Sequence, residues 1–585
     1  TKFTRNEESS SRRLEADYDC AADSTVTMRA SWCLPLLLTL QSSLATQRVV
    51  IHIVADDVGF NDLGFVNSDI QTPHIDELRS GGVALSRLYT SKDCAPSRGS
   101  IMTGRYPFRF GYYRNPSDEG GVMLNYTMLP AVLSENGFHT HAIGKWHLGF
   151  KSEEYTPTYR GFDTFFGYYH WGEEYSDHVF PPYYKGDQPC RGYDLNNNTG
   201  TELTAVGGEL YSTVEYYSTE LYTNEARRII RQHPEGEDMY MYLAFQNVHD
   251  PYETAPPAYT SIYADQTDEN RRNFSALVTL LDDGIKNVTD ELKDAGLWEN
   301  TLILFQTDNG GELPLEDPTP ELSGGAGNNY PLRGGKFTLW EGGVRTHAFV
   351  FSPNSDIIPA SLRGSAYHHM VHVSDWYPTV LAALDLDVPT DSGPYDLDGV
   401  SFWSAMLGGG VDMPRTELLH QPYNDYWNAS CWDIDLENPY NPACGAAFAS
   451  WPYKLYYGFP GDNRTVTLDS TTTATTEPVV AAVAVVASEN VRSTDSPFGP
   501  NDDGKICASD SGCLYNIRDD PEETVDLLAD GDETYTAMAA TMLARLKELS
   551  VAAPEPICGD CTDNDAPSDE ECAVVDTTGS WQPWE

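Results

Sequence analysis

The segment around Cys94 combines residue types suited to anion chemistry at the start of a helix. It reads Cys94-Ala-Pro-Ser-Arg98 and is followed by Thr103-Gly-Arg105. Proline is favoured in the first helical turn and serine is a capping residue, so we expect a helix to begin here. Helix N-termini attract anions, and Arg98 lies one turn further on. The segment predicts a reactive cysteine beside a bound anion; a structural or disulfide-bonded cysteine at a helix cap is the alternative.

Acidic and amide side chains follow two strongly apolar segments. VVIHIVA runs into Asp56-Asp57, and TLILFQT runs into Asp308-Asn309. In parallel α/β sheets, binding sites form at the carboxyl ends of strands. Carboxylate and amide oxygens are the ligands that calcium prefers. The matched positions predict a calcium site, although each motif taken singly is also a common turn sequence.

The elements that must position these residues alternate between strand and helix. Predicted strands cover residues 49–55, 83–89, 138–143, 239–246 and 301–306, and predicted helices cover 72–79, 129–135, 222–233 and 268–292. This alternation predicts an α/β domain with a largely parallel sheet, over about residues 46–407. The first strand is almost continuously apolar, which is typical of a strand buried on both faces.

The C-terminal third predicts a smaller subdomain over residues 408–552. Short strands at 453–457 and 513–517 indicate an antiparallel sheet, and a helix is predicted over 534–549. Residues 465–488 form a predicted surface insertion, whose apolar run of about nine residues is too short to span a bilayer. The last residues, 553–585, are rich in Pro and Asp and predict an irregular tail.

The N-terminal residues resemble a secretory leader. Met28-Arg29 is followed by an apolar run and then by small residues, which predicts a signal peptide over 28–45. Residues 1–27 are then a non-native or disordered extension; a genuine extension before a short helix is the alternative. The apolar run is too short to be a stable membrane anchor. We expect the secretory pathway, with a lysosomal or extracellular destination.

Sequons and cysteines agree with export. N-glycosylation is predicted at Asn125, Asn197, Asn273, Asn287, Asn428 and Asn463. Of 11 cysteines, eight remain when Cys20, Cys33 and Cys94 are set aside, and an even number suits disulfides. Spacing suggests Cys431 with Cys444 and Cys507 with Cys513. The partners of Cys190, Cys558, Cys561 and Cys572 stay open.

Length and charge restrict the class of protein. The chain has 585 residues, 40% of them hydrophobic, which suits one large and one smaller globular domain. Its formal net charge of −51 excludes nucleic acid as a partner, because phosphate backbones need basic surfaces. Any anion site must therefore be a local basic cluster.

These motifs resemble those of the type I sulfatases. C-x-P-S-R with T-G-R is similar to the first family signature, and Gly144-Lys145-Trp-His147-Leu-Gly149 is similar to the second. The resemblance covers nearly all of residues 48–550. It is greatest to the arylsulfatase B (N-acetylgalactosamine-4-sulfatase) branch, in YLAFQNVHDP, PLRGGKFTLWEGGVR and a terminal WQPW. It implies an alkaline-phosphatase-like large domain with a mostly parallel sheet, plus a smaller domain with an antiparallel sheet and a helix.

The resemblance also implies the site. Calcium would be bound by Asp56, Asp57, Asp308 and Asn309 and would contact a formylglycine made from Cys94 by the formylglycine-generating enzyme. The residues implied around the sulfate and the nucleophile are Arg98, Lys145, His147, His249 and Lys336. In this scheme one hydroxyl of the hydrated aldehyde attacks sulfur, and the second later helps to expel sulfate. His249 would protonate the leaving oxygen with help from Lys336; by residue type alone they would be a rim histidine and a loop cation.

The implied function is a sulfuric ester hydrolase acting on a sulfated saccharide or an aryl sulfate. N-acetylgalactosamine 4-sulfate is the leading substrate. Between Tyr113 and Leu129 the chain lacks cysteines that arylsulfatase B carries nearby, and segment 168–178 also differs, so the sugar is left open. The alternatives are a phosphoester hydrolase of the same superfamily and a non-enzymatic binder of sulfated glycans.

Overall fold

A computed structural model describes residues 47–112, 121–180, 191–206, 217–252, 255–314, 325–409, 413–421, 445–458, 460, 507, 512–550 and 580–583. These residues belong to a unit that runs from Gln47 to Glu585. The predicted extension, signal peptide and insertion lie outside the described residues. So do Asn428, Asn463, Cys190, Cys431, Cys444, Cys558, Cys561 and Cys572.

The secondary structure follows the predicted alternation. The strands are β1 (Val49–Ala55), β2 (Val83–Tyr89), β3 (Phe138–Lys145), β4 (Thr164–Tyr168), β5 (Val179–Phe180), β6 (Gly192–Tyr193), β7 (Asn196–Thr199), β8 (Asp238–Ala244), β9 (Thr301–Thr307), β10 (Arg345–Phe351), β11 (Ser365–Tyr367), β12 (Val371–His372), β13 (Glu417–Gln421), β14 (Ala446–Ser450), β15 (Tyr453–Tyr457) and β16 (Cys513–Asn516). The helices are α1 (Pro73–Gly81), α2 (Cys94–Thr103), α3 (Leu129–Glu135), α4 (Ser218–Gln232), α5 (Pro257–Thr260), α6 (Glu269–Asp294), α7 (Glu341–Val344), α8 (Trp376–Ala383), α9 (Trp403–Leu407) and α10 (Glu533–Ser550).

A large mixed sheet forms the centre of the large domain. Its order is β11-β2-β10-β9-β1-β8-β3-β4-β7, and β12 also pairs with β2. The central strands β9, β1, β8, β3 and β4 are parallel to one another, whereas β10 and β7 run antiparallel to their neighbours. The predicted mostly parallel α/β architecture is confirmed.

Strand β1 occupies the middle of this sheet and is buried along its whole length. Val50 and Val54 belong to the core on one face, and Val49, Ile51 and Ile53 belong to the core on the other. A strand enclosed on both faces requires apolar residues at successive positions, which explains the continuous run in the sequence.

The C-terminal subdomain is an antiparallel sheet with one helix, as predicted. Its strand order is β13-β14-β15-β16. Helix α10 covers one face, where Leu546 shares a core with Phe448 and Leu455. The opposite face packs on the large domain through Tyr456 and Trp340. The subdomain is therefore joined to the large domain by a buried surface.

Two cysteine predictions can be compared with the structure. Cys507 and Cys513 form a disulfide, which confirms the proposed pair. Cys94 is buried and has a free thiol. In the part of the chain that the structure describes, no helix is long and apolar enough to cross a membrane.

The sequons differ in their exposure. Asn125, Asn197 and Asn287 are exposed, whereas Asn273 lies within α6 and is only 7% exposed. A glycan needs an accessible amide nitrogen, so the burial argues against glycosylation of Asn273. The three-residue sequon pattern carries no information about which face of a helix the asparagine occupies.

The segment 580–583 returns to the large domain. The backbone N–H of Trp581 donates to Tyr193 O over 2.9 Å, and its indole Nε1 donates to Phe180 O over 3.2 Å. The indole is 1% exposed and contacts the rings of Phe180 and His170. This part of the predicted irregular tail is thus fixed by an aromatic side chain.

Candidate active site

The polar residues that follow β1 and β9 meet because these strands are adjacent and parallel. Their last residues, Ala55 and Thr307, are partners in the register. The backbone N–H of Asp57 donates to Asp308 Oδ1 over 3.3 Å, and Asn309 Nδ2 donates to Asp57 Oδ1 over 2.6 Å. The convergence expected from the sequence is therefore present in the fold.

Helix α2 brings Cys94 to the same place. The helix starts at Cys94 itself, and the carboxylate of Asp93 caps it by accepting the Cys94 N–H over 2.9 Å. Ser97, the residue of capping type, instead accepts the Ser91 N–H inside the fold. Cys94 Sγ lies 3.6 Å from Asp56 Oδ1, and burial raises the pKa of the thiol well above its usual range.

The resulting cluster has the geometry of a metal site. Ligand atoms of Asp56, Asp57, Cys94 and Asp308 all lie within 4.8 Å of one another, and all four residues are buried. Asn309 Oδ1 is also buried and has no hydrogen-bond partner among the described residues. A buried acceptor without a partner is costly, and a bound cation would satisfy it. The donors are mostly oxygens, which fits a hard cation such as calcium.

One set of cations surrounds Asp56. Lys145, the last residue of β3, donates to Asp56 Oδ2 over 2.6 Å, and Arg98 Nη2 lies 3.3 Å from the same oxygen. Arg98 also donates to Asp308 Oδ2 through Nε and Nη2, at 3.0 and 2.7 Å. Burial opposes the charge of Arg98, but Asp308 and other neighbouring groups raise its pKa well above the ordinary value. Arg98 therefore remains a cation although its side chain is completely buried.

A second set surrounds Asp57. Lys336 Nζ donates to Asp57 Oδ2 over 2.8 Å, and His249 Nε2 lies 3.8 Å from that oxygen. Burial favours the protonated acid, yet Lys336 and His249 hold the pKa of Asp57 below its usual value. Asp57 in turn raises the pKa of Lys336 well above its usual range, although burial acts in the opposite direction. The two basic side chains thus converge on Asp57, and a ring nitrogen of His249 also lies within 4.8 Å of ligand atoms of Asp56 and Cys94.

His147 lies near these residues and has two ring nitrogens that make no hydrogen bond within the described part of the chain. Its φ of 54° places it in the left-handed region, which is uncommon for a residue other than glycine. Both ring nitrogens are buried, and neither has a hydrogen-bond partner in the described part of the chain. Burial, with help from Lys145, lowers the pKa of His147 well below its usual value. A neutral imidazole without partners is available to a ligand.

The structure adds residues that the sequence analysis did not select. Glu312 follows Asn309 by three residues; its pKa is raised to about 7 by burial, against the effect of Lys336. Tyr168 is paired in register with Lys145, and its hydroxyl is buried without a partner among the described residues. Glu312 could have been found from its position shortly after the end of β9. Asp93 could have been found because aspartate commonly caps helices. No local signal marks Tyr168.

Comparison with known proteins gives consistent similarities. The sulfatase family matches residues 48–386. Mouse arylsulfatase J is 33% identical over 550 residues, which cover 92% of this chain and 80% of that protein. Human arylsulfatase A is 32% identical over 405 residues, which cover 66% and 73%. The crystal structure of Ps i-CgsB has a TM-score of 0.64 at 24% identity and covers 87% of this chain and 94% of that one, which shows a shared fold.

Proposed function

Because the chain belongs to the sulfatase family and is therefore a sulfuric ester hydrolase, we propose that it acts through a formylglycine made from Cys94 and a calcium ion. The proposed ligands are Asp56, Asp57, Asp308 and Asn309. The observation that carries this proposal is the position of Cys94. Its sulfur lies at the start of a helix, 3.6 Å from Asp56 and within a buried cluster of carboxylates and cations.

The bound groups supply chemistry that the chain lacks. When bound, calcium would supply positive charge to the sulfuryl group, and a hydrated formylglycine would supply two hydroxyl groups on one carbon. The chain's own contribution on this side is orientation. Lys145 and Arg98, both held at Asp56 Oδ2, place fixed positive charge beside position 94. Asp56 Oδ1 accepts from the Cys94 thiol over 3.6 Å, so a carboxylate oxygen lies beside the position that the formylglycine hydroxyls would take.

The Asp57 side suits departure of the alcohol. The leaving alcohol needs an acid and a positive charge within reach of its oxygen. His249 and Lys336 lie 3.8 and 2.8 Å from Asp57 Oδ2, and ligand atoms of His249, Asp56 and Cys94 lie within 4.8 Å of one another. We assign His249 to protonation of the leaving oxygen and Lys336 to its stabilisation. The carbonyl of Asp250 accepts from His249 Nδ1 over 2.9 Å and so fixes the orientation of the ring. Burial lowers the pKa of His249 well below its usual value, so the acid step would need the negative charge of the bound sulfate to hold a proton on Nε2.

The proposed substrate is a sulfated saccharide, with a terminal N-acetylgalactosamine 4-sulfate as the leading candidate and small aryl sulfates as alternatives. The shared stretches with the arylsulfatase B branch support this choice. The divergent segment 168–178 borders the leaving-group side, since the ring of Trp171 lies 5.7 Å from that of His249. With a net charge of −51, the protein would repel long polyanions away from the site mouth, which favours action at chain ends.

The proposed location is the secretory pathway, with a lysosomal or extracellular destination. The Cys507–Cys513 disulfide and the exposed sequons at Asn125, Asn197 and Asn287 support an oxidising, glycosylating compartment. Conversion of Cys94 by the formylglycine-generating enzyme would take place there, before the thiol becomes buried.

A substrate panel tests the proposal. Purified protein is assayed on 4-nitrophenyl sulfate, 4-nitrophenyl phosphate, and the 4-sulfated and 6-sulfated forms of N-acetylgalactosamine. We expect turnover of the sulfates, preference for the 4-sulfated sugar, and no turnover by Cys94→Ala. Phosphate turnover exceeding sulfate turnover would overturn the mechanism. Activity on the aryl sulfate without activity on any 4-sulfated sugar would overturn only the substrate assignment.

A further inference from the structure

Lys336 lies in a closed loop, residues 333–342, which we call the Lys336 loop. The loop is closed by Gly342 N–H, which donates to Arg333 O over 2.7 Å. Near its tip, the Lys336 N–H donates to Gly311 O over 3.1 Å, just beyond the Asp308–Asn309 pair. The loop therefore reaches the active site through Lys336, and its last residue, Gly342, packs against Gly310, next to Asn309.

The C-terminal subdomain binds both ends of this loop through Glu523. The Glu523 Oε2 atom accepts the backbone N–H of Glu341 over 2.8 Å, and the Glu523 carbonyl accepts from Arg333 Nη1 over 3.1 Å. The hydroxyl of Tyr456 on β15 donates to Leu339 O over 3.1 Å and also contacts Glu523 Oε1. One residue of the subdomain thus holds the first and the last turn of the Lys336 loop.

The Glu523 contact is enclosed by buried charges. Lys454 Nζ lies 2.9 Å from Glu341 Oε1 and 3.7 Å from Glu523 Oε1, and all three side chains are completely buried. Tyr89 donates to the other oxygen of Glu341 over 3.0 Å. Buried charges are stable only in a narrow geometry with their partners in place, so this cluster restricts movement of the loop.

The backbone of Glu523 supports a specific role. Its φ of 56° lies in the left-handed region, where a side chain with a Cβ costs free energy. Such conformations persist where surrounding contacts determine them, and they concentrate at functional positions. The turn around Glu523 carries few apolar residues, so core packing gives no separate reason for this conformation.

We propose that Glu523 is a positioning residue for Lys336, through which the C-terminal subdomain sets the distance between the Lys336 ammonium and Asp57. The inference rests on the proposed function, in which Lys336 stabilises the leaving oxygen. In this role the C-terminal subdomain affects the reaction by positioning Lys336. A loose Lys336 loop would weaken help to the leaving group while the Cys94 and Asp56 side of the site stays intact.

The test is a series of aryl sulfates whose phenol leaving groups differ in pKa. A poor leaving group needs Lys336 more than 4-nitrophenol does, so Glu523→Ala should make log(kcat/KM) fall more steeply with leaving-group pKa. We expect a loss of about 10- to 100-fold for the poorest leaving group and less than about 3-fold for 4-nitrophenyl sulfate. A lower folded fraction would instead reduce all the rates by one factor.

Three variants complete the experiment. In a Lys336→Ala background, Glu523→Ala should have no further effect on the slope, because the two act through one group. Glu523→Gln keeps an acceptor for the Glu341 N–H, so its slope should be close to that of the wild type. Arg415→Met is the control: Arg415 is a buried cation of the same subdomain, paired with Asp375, and it has no contact in the described structure with the Lys336 loop. Its slope should equal that of the wild type.

An unchanged slope in Glu523→Ala overturns the inference, as does an equal change in Arg415→Met. If Glu523→Ala does not fold, Tyr456→Phe decides, since it removes only the hydroxyl that binds Leu339 and Glu523. It should steepen the slope less but in the same direction, and no change would overturn the inference. A wild-type protein without sulfatase activity would overturn the proposed function, whereas an active one with an unchanged slope overturns only the role of Glu523.

Discussion

Asn309 donates its side-chain amide to Asp57 Oδ1 over 2.6 Å and so joins the end of β9 to the end of β1. The other atom of that amide, Oδ1, is buried and has no partner among the described residues. One side chain thus holds the two strand ends together and also offers a free oxygen to the cluster. This pairing is what makes the strand ends a candidate metal site and more than a pair of polar turns.

The first prediction concerns the metal. Chelation should lower the melting temperature, and calcium should restore it, because the ion binds only the folded cluster. Asp308→Ala should lose both the calcium response and activity. Thermal unfolding with and without calcium, together with elemental analysis, gives the readout. Asp398→Asn alters a partly buried acid paired with Arg109, outside the cluster, and should keep the response. Stoichiometric zinc without calcium or magnesium would contradict the assignment.

The second prediction concerns residue 94. Mass spectrometry of the peptide containing Cys94 should show conversion of the thiol to an aldehyde in protein from a competent secretory pathway. Cys94→Ala should abolish turnover yet change the free energy of unfolding by only about 1 kcal/mol, since a single buried sulfur is removed. The Cys507–Cys513 disulfide in the same digest is the internal control. A fully unmodified Cys94 in active protein would refute the mechanism.

The third prediction concerns glycosylation. Asn125, Asn197 and Asn287 are exposed and should carry glycans, whereas Asn273 should not, because its side chain is buried in α6. Enzymatic removal of the glycans in heavy-oxygen water marks each occupied asparagine with a mass increase. The comparison between Asn273 and Asn287 is well matched, since both lie on α6. Occupancy at Asn273 would show that α6 packs differently.

The fourth prediction concerns the start of α1. Its cap residue, Thr72, makes no side-chain cap, and Asp282 on α6 instead accepts the N–H groups of His74 and Ile75, at 3.1 and 2.7 Å. Asp282→Ala should therefore lower the free energy of unfolding by about 1–2 kcal/mol, with kcat unchanged. Asp294→Ala, at an exposed position of the same helix, is the control and should stay within about 0.5 kcal/mol. Urea unfolding measures both variants; equal effects would contradict the capping role.

The fifth prediction concerns pH. Burial, opposed by Lys454, raises the pKa of Glu523 from its ordinary 4.5 to about 7. Between these values the folded protein binds more protons at this position than the unfolded chain, so the contribution of Glu523 to stability falls as pH rises. Glu523→Gln cannot titrate and should gain stability relative to the wild type from pH 4.5 to 7. Unfolding curves at several pH values test this, and a constant difference would be the contrary result.

Sequence patterns could predict the site wherever the residues follow strand ends or precede a helix. The apolar runs before Asp56 and Asp308 placed those acids at one sheet edge, because adjacent parallel strands end together. The cap of α2 was predicted at the wrong residue: Asp93 caps the helix, whereas Ser97 lies inside it and accepts the Ser91 N–H. Local patterns identify the groups but not their tertiary partners.

Contacts between distant segments could not be predicted. Glu523 and Glu341 are 182 residues apart in the chain, and no periodicity links them. The antiparallel insertion of β10 between β2 and β9 likewise follows from the return path of the chain. The start of α4 at Ser218, four residues before the predicted Tyr222, reflects burial of Ser218 and Thr219 against Gln246 and Asn247. In each case tertiary packing decided the outcome.

The anchoring of Trp581 has a practical consequence for recombinant work. The indole fills a pocket formed by Phe180 and His170, close to Trp171. A recombinant form that ends before Ser580 would leave this pocket empty. Removing the indole would expose apolar rings that now lie under it and would free the segment that borders His249.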